Sequence, residues 1–415
     1  MTKTKKNDNK TTRNKKGEKV SGKRITEKQG LSSQLRSLPA GLTRTVKRYD
    51  FYVVIIVFFL AFFGVAMVFS AGYYTTINIS EPDPYFYLKR QMVLAVTGLF
   101  LMLIVANIDY HLYAKFAKPV VFISISLLIL VLLIGVNING ATRWIGVGSY
   151  RITPSEISKI AVIIFTSAFI AEDPDNIKTA KGLGILAFVM MAHFILVIMQ
   201  PNLSTAIVLV LIVIAIMIVA GMNLIYLIIP TILAIAGYFY IITFQKPYHV
   251  YMRLTSFIDP FADSQGDGYQ VTQGLIALGN GGIKGLGFGK SITKNLYLPE
   301  PQNDFILAII GEELGYIGVL LLMAIYILLL FRLIMIALRA KDDFGFYLTT
   351  GVAVLLGIQV IINVAVVTSS MPATGITLPF ISYGGTSIWI FMAAIGVALN
   401  VSKKREKKPG RRAIR

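Results

Sequence analysis

The sequence predicts an all-α polytopic membrane protein with about ten transmembrane helices, and two observations support this. Of the 415 residues, 55% are hydrophobic, and the mean hydropathy is +0.69. Apolar runs of about 18 residues or more recur along the chain, and such a run is long enough to cross a bilayer as a helix. The chain contains no cysteine. This excludes disulfides, a thiolate nucleophile and cysteine-based metal sites.

The net charge of +19 is concentrated at the two ends of the chain. Residues 1–50 carry 15 Lys and Arg against 4 acidic residues, and residues 403–415 carry 8 against 1. Basic segments that flank a membrane domain are typical of cytoplasmic tails beside anionic lipid. The tails lack the interleaved aromatic residues of nucleic-acid-binding segments, so we expect no nucleic acid partner. The polar composition of residues 1–50 predicts a disordered tail.

Ten apolar segments define the predicted membrane domain, residues 51–402. An even number of spans places both basic tails on one side, which the positive-inside rule makes cytoplasmic. The largest extracellular loop, residues 244–302 between helices 7 and 8, is too long to be a simple connection. We therefore expect the function to lie on the outer face. The predicted spans are 51–72, 88–107, 118–136, 154–171, 183–199, 203–221, 223–243, 303–333, 346–370 and 383–402.

Asp304 is the strongest catalytic candidate because it lies where this loop meets an apolar helix. A carboxylate at such a boundary is costly to keep, which indicates a function such as a general base. The alternative is that Asn303 and Asp304 cap the helix N-terminus. Glu312 and Glu313 follow on the same helix. Glu313 points nearly opposite Asp304, so we expect that these carboxylates do not all line one site and that at least one of Glu312 and Glu313 has a structural partner.

Glu156 and Lys159 lie within the first two turns of the predicted fourth span, which begins near Pro154. A lysine at this depth usually faces a polar interior, so we predict that Lys159 contacts an anion such as a phosphate. The alternative is an intrahelical ion pair with Glu156. Arg143 is a second candidate anion ligand, although with Trp144 it also fits an interfacial belt.

The glycine-rich tract from Gly274 to Ser291 does not fit nucleotide binding. A phosphate-binding loop that ends at Gly289-Lys290-Ser291 requires glycine at position 284, which is lysine. The glycines instead permit tight turns and a close backbone approach to a ligand.

Four blocks in this order give the chain a family resemblance. They are GATRWIGVGSYRITPSEISK, YQVTQGLIALGNGGIKGLGFGKS, LPEPQNDFILAIIGEELGYIG and MPATGITLPFISYGGTS. Over about residues 50–403 the sequence resembles the SEDS family, which comprises FtsW, RodA and SpoVE, and it is more similar to the division and sporulation branch. It departs from the usual family pattern at Gln302-Asn303, where His-Thr is commoner, and at Asn202, where many relatives have Asp.

The resemblance implies a peptidoglycan glycosyltransferase that polymerises lipid II, with Asp304 as the essential aspartate. It implies a multi-pass protein of the bacterial cytoplasmic membrane, at the division septum, working with a class B penicillin-binding protein and other division proteins. The acceptor attacks a polyprenyl-pyrophosphate-linked glycan, whose leaving group needs cations. We predict Arg143, Lys159 and Arg253 for this role, or a divalent cation (Mg²⁺ or Mn²⁺) shared with Asp304. The full set of predicted substrate-binding residues is Arg143, Glu156, Lys159, Arg253, Glu300 and Ser382.

Three other functions remain open from the sequence. A lipid II flippase predicts polar residues through the full membrane depth, whereas the polar residues here concentrate in the predicted outer loops. A non-catalytic scaffold that recruits division proteins through its basic tails leaves those loops unexplained. An elongation-type, RodA-like polymerase would share the chemistry and differ in its cellular site.

Overall fold

The structure is a computed structural model and is mostly helical. It describes residues 49–77, 83–138, 141–147, 150–244, 257–262, 266, 268–295 and 297–403. The chain divides into two units, residues 1–51 and residues 52–415, and only residues 49–51 of the first are described. Arg253 and almost all of both predicted tails lie outside the described residues.

Twelve α-helices are present in the described part of the chain. Ten of them coincide with the ten predicted spans, and α3 and α9 are additional short helices. The helices are α1 (Phe51–Ile77), α2 (Phe86–Val105), α3 (His111–Lys115), α4 (Ala117–Ile134), α5 (Pro154–Glu172), α6 (Ala180–Ile198), α7 (Leu203–Val219), α8 (Ile228–Phe244), α9 (Tyr269–Gly281), α10 (Ile306–Leu338), α11 (Asp343–Val367) and α12 (Gly385–Lys403).

Nine helical segments in the described ranges are long and apolar enough to cross a membrane. The remaining predicted span, α7, is an apolar helix just below that length, at 17 residues. The prediction of a polytopic helical membrane protein is therefore confirmed.

The connection between α4 and α5 is not helical, so the all-α prediction is wrong in this segment. It forms a three-stranded antiparallel sheet in the order β1-β2-β3, with β1 at Val136–Ile138, β2 at Ala141–Val147 and β3 at Tyr150–Ile152. Val136 pairs with Trp144, and Ile145 pairs with Ile152. Isoleucine, valine and aromatic residues favour strands.

The most buried helices are α5, α11 and α12, and they form the centre of the bundle. Helix α11 packs against α5, α7 and α10, while α2 packs along α12. Local capping sets several helix starts, as at α11, where the Asp342 carboxylate accepts from the Gly345 backbone N–H at 2.7 Å. Asn202 caps α7 by accepting from the Thr205 N–H at 3.3 Å.

The end of the bundle opposite Asp304 is held by a separate polar cluster. Asn400 of α12 accepts from the Tyr110 N–H at 2.9 Å and donates to the Ala106 carbonyl at 2.8 Å. The Tyr110 hydroxyl donates to the Asp342 carboxylate. Burial, followed by this hydrogen bond to Asp342, raises the pKa of the Tyr110 hydroxyl. These bonds join the α2–α3 turn to the start of α11 and the end of α12.

Candidate active site

Asp304 lies in a turn, residues 300–305, immediately before α10. The Asn303 N–H donates to the Glu300 carbonyl at 3.0 Å, and the Asn303 amide donates to the Glu300 carboxylate at 2.6 Å. Helix α10 begins at Ile306 with Phe305 at the N-cap position. The N-cap position is therefore Phe305, one residue after Asp304 and two after Asn303.

Asn363 of α11 fixes the backbone of Asp304 from one side. Its side-chain amide donates to the Asp304 carbonyl at 2.7 Å and to the Ile376 carbonyl at 2.8 Å. The segment that contains Ile376 also approaches the carboxylate itself. A Cβ atom at Gly375 would lie 3.9 Å from Asp304 Oδ2, and Gly375 has a φ of +69°, which favours glycine. A bare backbone therefore faces the partly exposed carboxylate.

Gln302 fixes the same turn from the other side. Its side-chain amide donates to the Tyr87 hydroxyl at 3.0 Å, and its backbone carbonyl accepts from the Tyr383 N–H at 2.8 Å. Gln302 is only 2% exposed. Asp304 is thus held between α2, α11 and the segment that precedes α12, which is the rigid support that a positioned catalytic group needs.

A second polar residue on the same face of α11 reaches Lys159. Gln359 lies one helical turn before Asn363. With its amide oriented to satisfy both neighbours, it donates to the Thr377 carbonyl at 3.3 Å and accepts from Lys159 Nζ at 2.7 Å. Gln359 and Asn363 therefore bind successive carbonyls of the 372–378 segment, and they connect the Asp304 turn to the buried start of α5.

Lys159 and Glu156 form the ion pair that the sequence left open as an alternative to phosphate binding. Lys159 Nζ lies 2.5 Å from Glu156 Oε1. The Lys159 side chain is 3% exposed and that of Glu156 is 11% exposed. A phosphate contact by Lys159 stays a prediction, and it would require the ammonium group to serve an anion in addition to Glu156 and Gln359.

Arg143 contacts backbone carbonyls in the structure. It lies on β2, where its guanidinium donates to the Gln200 carbonyl at 3.2 Å and to the Pro201 carbonyl. These carbonyls follow the C-terminal end of α6, where positive charge is favourable. Arg143 thus ties the sheet to the α6–α7 turn, and its predicted role toward pyrophosphate stays a prediction.

Ser382 and Glu300, the other described substrate-binding candidates, also have local partners. Ser382 is 5% exposed, and its hydroxyl accepts from the Leu378 N–H at 2.8 Å. This bond closes the turn between Pro379 and Ser382. Glu300 is exposed and adopts a φ of +45° at the start of the Asp304 turn. Glu300 therefore lies in the same turn as Asp304 and is hydrogen-bonded to Asn303. Ser382 instead stabilises the backbone of the segment that precedes α12.

Glu312 and Glu313 do not join Asp304 and instead anchor the glycine-rich tract, which confirms that these carboxylates have structural partners. Glu312 is fully buried and accepts from the Thr293 hydroxyl at 2.9 Å and from the Ile292 N–H at 3.2 Å. Glu313, also fully buried, pairs with Lys294 Nζ at 2.8 Å and accepts from the Ser70 hydroxyl at 2.6 Å. Lys294 is therefore a structural cation.

Helix α10 is broken at Gly315, and the glycine-rich tract fills the break. Gly315 has φ +69° and ψ −174°. The carbonyls of Glu312 and Glu313 accept from the N–H groups of Leu286 (3.0 Å) and Gly287 (2.9 Å). Beyond the break, the N–H groups of Tyr316 and Ile317 donate to the carbonyls of Gly282 (2.9 Å) and Ile283 (3.2 Å). The close approach that the glycines permit is therefore made to α10.

The sequence reasoning missed Asn363 and Gln359. Two amide side chains four residues apart in an otherwise apolar helix were the available signal, because buried amides in a membrane helix need partners. Ser70, in the middle of α1, carried the same kind of signal. Their partners come from distant parts of the chain, so sequence alone did not identify them.

Comparison with known proteins assigns the family. The family model for FtsW, RodA and SpoVE, described as "Cell cycle protein", matches residues 51–407. The helical bundle and this match define a multi-pass membrane protein of the SEDS type. The chain belongs to the FtsW/RodA/SpoVE family of cell cycle proteins.

Individual relatives match this chain over nearly their whole length. Stage V sporulation protein E of Bacillus subtilis (strain 168) is 39% identical over 357 residues, which is 85% of this chain and 97% of the relative. A protein named probable peptidoglycan glycosyltransferase FtsW from Geobacter sp. (strain M18) is 36% identical, covering 87% and 98%. A solved chain described under structural coordination of polymerization and crosslinking by a peptidoglycan synthase complex has TM-score 0.70 and 27% identity, covering 87% and 99%.

Proposed function

We propose that this protein polymerises lipid II into glycan strands at the outer face of the bacterial cytoplasmic membrane, with Asp304 as the catalytic carboxylate. Its class, peptidoglycan glycosyltransferase, follows from its family and from the names of its relatives. The observation that supports the site is the fixed position of Asp304. Asn363 and Gln302 hold its turn, and its carboxylate faces the bare backbone of Gly375.

In the proposed reaction, the acceptor sugar's 4-hydroxyl attacks the anomeric carbon of the polyprenyl-pyrophosphate-linked donor. Asp304 accepts the hydroxyl proton as the new carbon–oxygen bond forms, and the bond to the pyrophosphate breaks with inversion. A positioned base contributes about 10²- to 10⁴-fold to the rate. Because the backbone on both sides of Asp304 is hydrogen-bonded, the carboxylate needs little reorganisation before reaction.

The leaving pyrophosphate needs positive charge. Lys159 and Arg143 are the described candidates, and Arg253 is the candidate outside the described residues. In this proposal Lys159 exchanges part of its pairing with Glu156 for a phosphate oxygen when substrate binds. Because both partners are buried, Lys159 must keep part of its contact with Glu156 while it binds the phosphate oxygen.

A divalent cation shared between Asp304 and the pyrophosphate also fits the residues. Within the described ranges no group of three His, Cys, Asp or Glu side chains could hold a metal ion on its own. Mg²⁺, however, is commonly bound by one or two carboxylates together with substrate phosphates. Near Asp304, the side-chain oxygens of Gln302, Asn303, Asn363 and Thr374 are buried and accept no hydrogen bond from the described residues. Such a cation would stabilise the charge that develops on the pyrophosphate.

The decisive experiment measures glycan polymerisation by purified protein with a class B penicillin-binding protein and lipid II. Asp304→Ala should reduce the rate by about 10²-fold or more, with an unchanged thermal unfolding midpoint. Asp175→Ala, which removes an exposed carboxylate in the α5–α6 connection, is the matched control and should leave the rate unchanged. Polymerisation by Asp304→Ala at the wild-type rate would overturn the assignment.

The same assay distinguishes a general base from a cation ligand at position 304. If Asp304 is the base, Asp304→Asn stays inactive at every Mn²⁺ concentration, because an amide does not accept the proton. If Asp304 is mainly a cation ligand, Asp304→Asn recovers activity as Mn²⁺ is raised, because an amide oxygen still ligates weakly.

We place this activity in septal synthesis, together with a class B penicillin-binding protein and other division proteins. The names of the 36–39% identical relatives refer to sporulation and FtsW, and the solved neighbour belongs to a peptidoglycan synthase complex. Depletion of the protein should then give filaments that lack septa. Rounded cells with normal septa would instead assign it to elongation.

A further inference from the structure

The glycine loop, which we define as residues 282–292, exposes an unusual number of large apolar side chains. Ile283 is 69% exposed, Phe288 is 53% exposed and Ile292 is 55% exposed, and Leu286 is also exposed. The exposed lysines Lys284 and Lys290 lie between them. A cluster of apolar side chains on a loop at the protein surface indicates an interaction site.

The buried side of this loop is fixed, so its exposed side chains have a defined place. Backbone hydrogen bonds join Leu286 and Gly287 to α10 before the break at Gly315, and they join Gly282 and Ile283 to α10 after it. Glu312 and the Glu313–Lys294 pair fix the C-terminal end of the loop to α10. The apolar side chains therefore project from a rigid support.

Helix α10 shows where this support lies relative to a membrane. Residues Ile306–Glu313 are all buried within the protein, whereas large exposed apolar side chains occur from Tyr316 to Leu338. That part of the helix is about 34 Å long at 1.5 Å per residue, close to the roughly 30 Å hydrocarbon thickness of a bilayer. The lipid-facing surface of α10 thus begins one residue after Gly315.

The glycine loop adjoins the start of this lipid-facing surface. The Ile283 carbonyl accepts from the Ile317 N–H at 3.2 Å, so Ile283 lies beside Ile317, which is 48% exposed. Tyr316, 61% exposed, lies at the same level, and aromatic residues favour the membrane interface. At Ile283 the exposed apolar side chains of the loop therefore adjoin the exposed apolar face of α10.

We propose that the glycine loop is a membrane-interface anchor. Ile283, Leu286, Phe288 and Ile292 insert into the bilayer at the Asp304 end of the bundle, and Lys284 and Lys290 reach the phospholipid phosphates. Lysines with long aliphatic stems suit this position. The bilayer is favoured over a protein partner because the loop adjoins the lipid-facing side of a membrane span. The inference concerns membrane contact and is independent of the proposed catalysis.

The test uses single-cysteine variants, which the cysteine-free chain makes direct. Phe288→Cys and Ile283→Cys are labelled with a nitroxide and reconstituted in vesicles of phosphatidylethanolamine and phosphatidylglycerol. Leu328→Cys on the exposed face of α10 is the lipid control, and the exposed Asn295→Cys is the aqueous control. Relaxation by oxygen, which concentrates in the bilayer, is compared with relaxation by a water-soluble nickel complex.

The expected result is that labels at positions 288 and 283 respond to oxygen more than to nickel, as the Leu328→Cys label does. Responses like that of Asn295→Cys would overturn the proposal. Nickel access in vesicles combined with protection in native membranes would also overturn it, because that pattern indicates docking of a protein partner. Circular dichroism of each variant, compared with the parent, checks that the label has not unfolded the bundle.

Discussion

At the residue scale, the position of Asp304 depends on side chains that do not themselves carry charge. Asn363 binds the Asp304 carbonyl and the Ile376 carbonyl with one amide group, and it is 1% exposed. Gln359, one turn earlier, binds the next carbonyl along the same segment. Amides inside an apolar helix thus connect the Asp304 turn to the backbone segment that faces it.

We predict that Asn363→Ala lowers kcat by between about ten- and a hundredfold, because a shift of about 1 Å in Asp304 is enough for such a loss. It also removes the hydrogen bonds from Asn363 to two backbone carbonyls, at a cost of about 1–3 kcal/mol. Asn400→Ala is the matched control, since Asn400 is a buried asparagine bridging two backbone groups at the opposite end of the bundle. Both variants should lose similar stability in thermal unfolding, and only Asn363→Ala should lose kcat. Equal kcat values for the two would contradict a positioning role.

The Lys159–Glu156 pair gives a second prediction. Lys159→Met leaves a buried carboxylate unpaired and should destabilise the protein by about 3–5 kcal/mol. The double variant Lys159→Met/Glu156→Gln should recover most of that loss, because no unpaired charge remains. Thermal unfolding of Lys159→Met, Glu156→Gln and the double variant measures the coupling free energy between the two side chains.

Lipid II binding by the stable double variant then tests the role of the ammonium group. Weak binding supports a phosphate contact by Lys159. Binding at the wild-type level would leave the lysine with a structural role only.

At the element scale, the main feature is the break in helix α10 and the loop that fills it. The break at Gly315 leaves two backbone carbonyls and two N–H groups without intrahelical partners, and the glycine loop supplies all four. Irregular backbone near a membrane is tolerated where protein satisfies its hydrogen bonds. The buried Glu312 and Glu313 stabilise this junction. Of the three carboxylates between residues 304 and 313, only Asp304 therefore lies at the candidate site.

Gly285→Ala should disrupt this junction. Gly285 has a φ of +79°, and an added Cβ would lie 2.2 Å from the Glu313 carbonyl oxygen. Gly289→Ala is the matched control, because Gly289 has a φ of +76° and nothing within 4 Å of its Cβ position. The control should lose only the roughly 1–2 kcal/mol of stability that a left-handed backbone costs a residue with a Cβ atom. Gly285→Ala should lose clearly more, measured by thermal unfolding. Equal losses would show that the loop is not packed into the break.

At the scale of the whole molecule, two ends of the bundle carry different chemistry. One end holds Asp304, the glycine loop and the small sheet. The other holds the Tyr110–Asp342–Asn400 cluster, which joins three helix ends with hydrogen bonds. The sequence predicts that the function lies on the outer face, and the proposed activity assigns that face to the Asp304 end.

The orientation is tested by cysteine labelling. Asn295→Cys at the Asp304 end should react with a membrane-impermeant maleimide in intact spheroplasts. Asp175→Cys, in the exposed connection between α5 and α6, should react only after permeabilisation, because that connection is predicted to be cytoplasmic. Reaction of Asp175→Cys alone in intact spheroplasts would invert the proposed topology.

The sequence by itself determined the polytopic class, the positions of the long apolar helices, the family and the choice of Asp304 as catalytic candidate. Span positions are recoverable because hydropathy is a local property, and each predicted span overlaps a helix. The sequence also predicted that Glu313 does not join Asp304, by placing both residues on one helix. Their separation is confirmed, but Asp304 lies in the turn before α10, so the helical angle is not its cause. These inferences needed no knowledge of which helices touch.

Only the tertiary structure decided the partners of the polar side chains. Ser70 and Glu313 are 243 residues apart, and Gln302 and Tyr87 are 215 apart. The break at Gly315 likewise depends on a loop that replaces the lost helical bonds, whereas the local sequence reads as one continuous apolar helix. Each buried polar group must find a partner, but hydrophobic patterning does not specify which one. That choice, and with it the fixed position of Asp304, comes from packing.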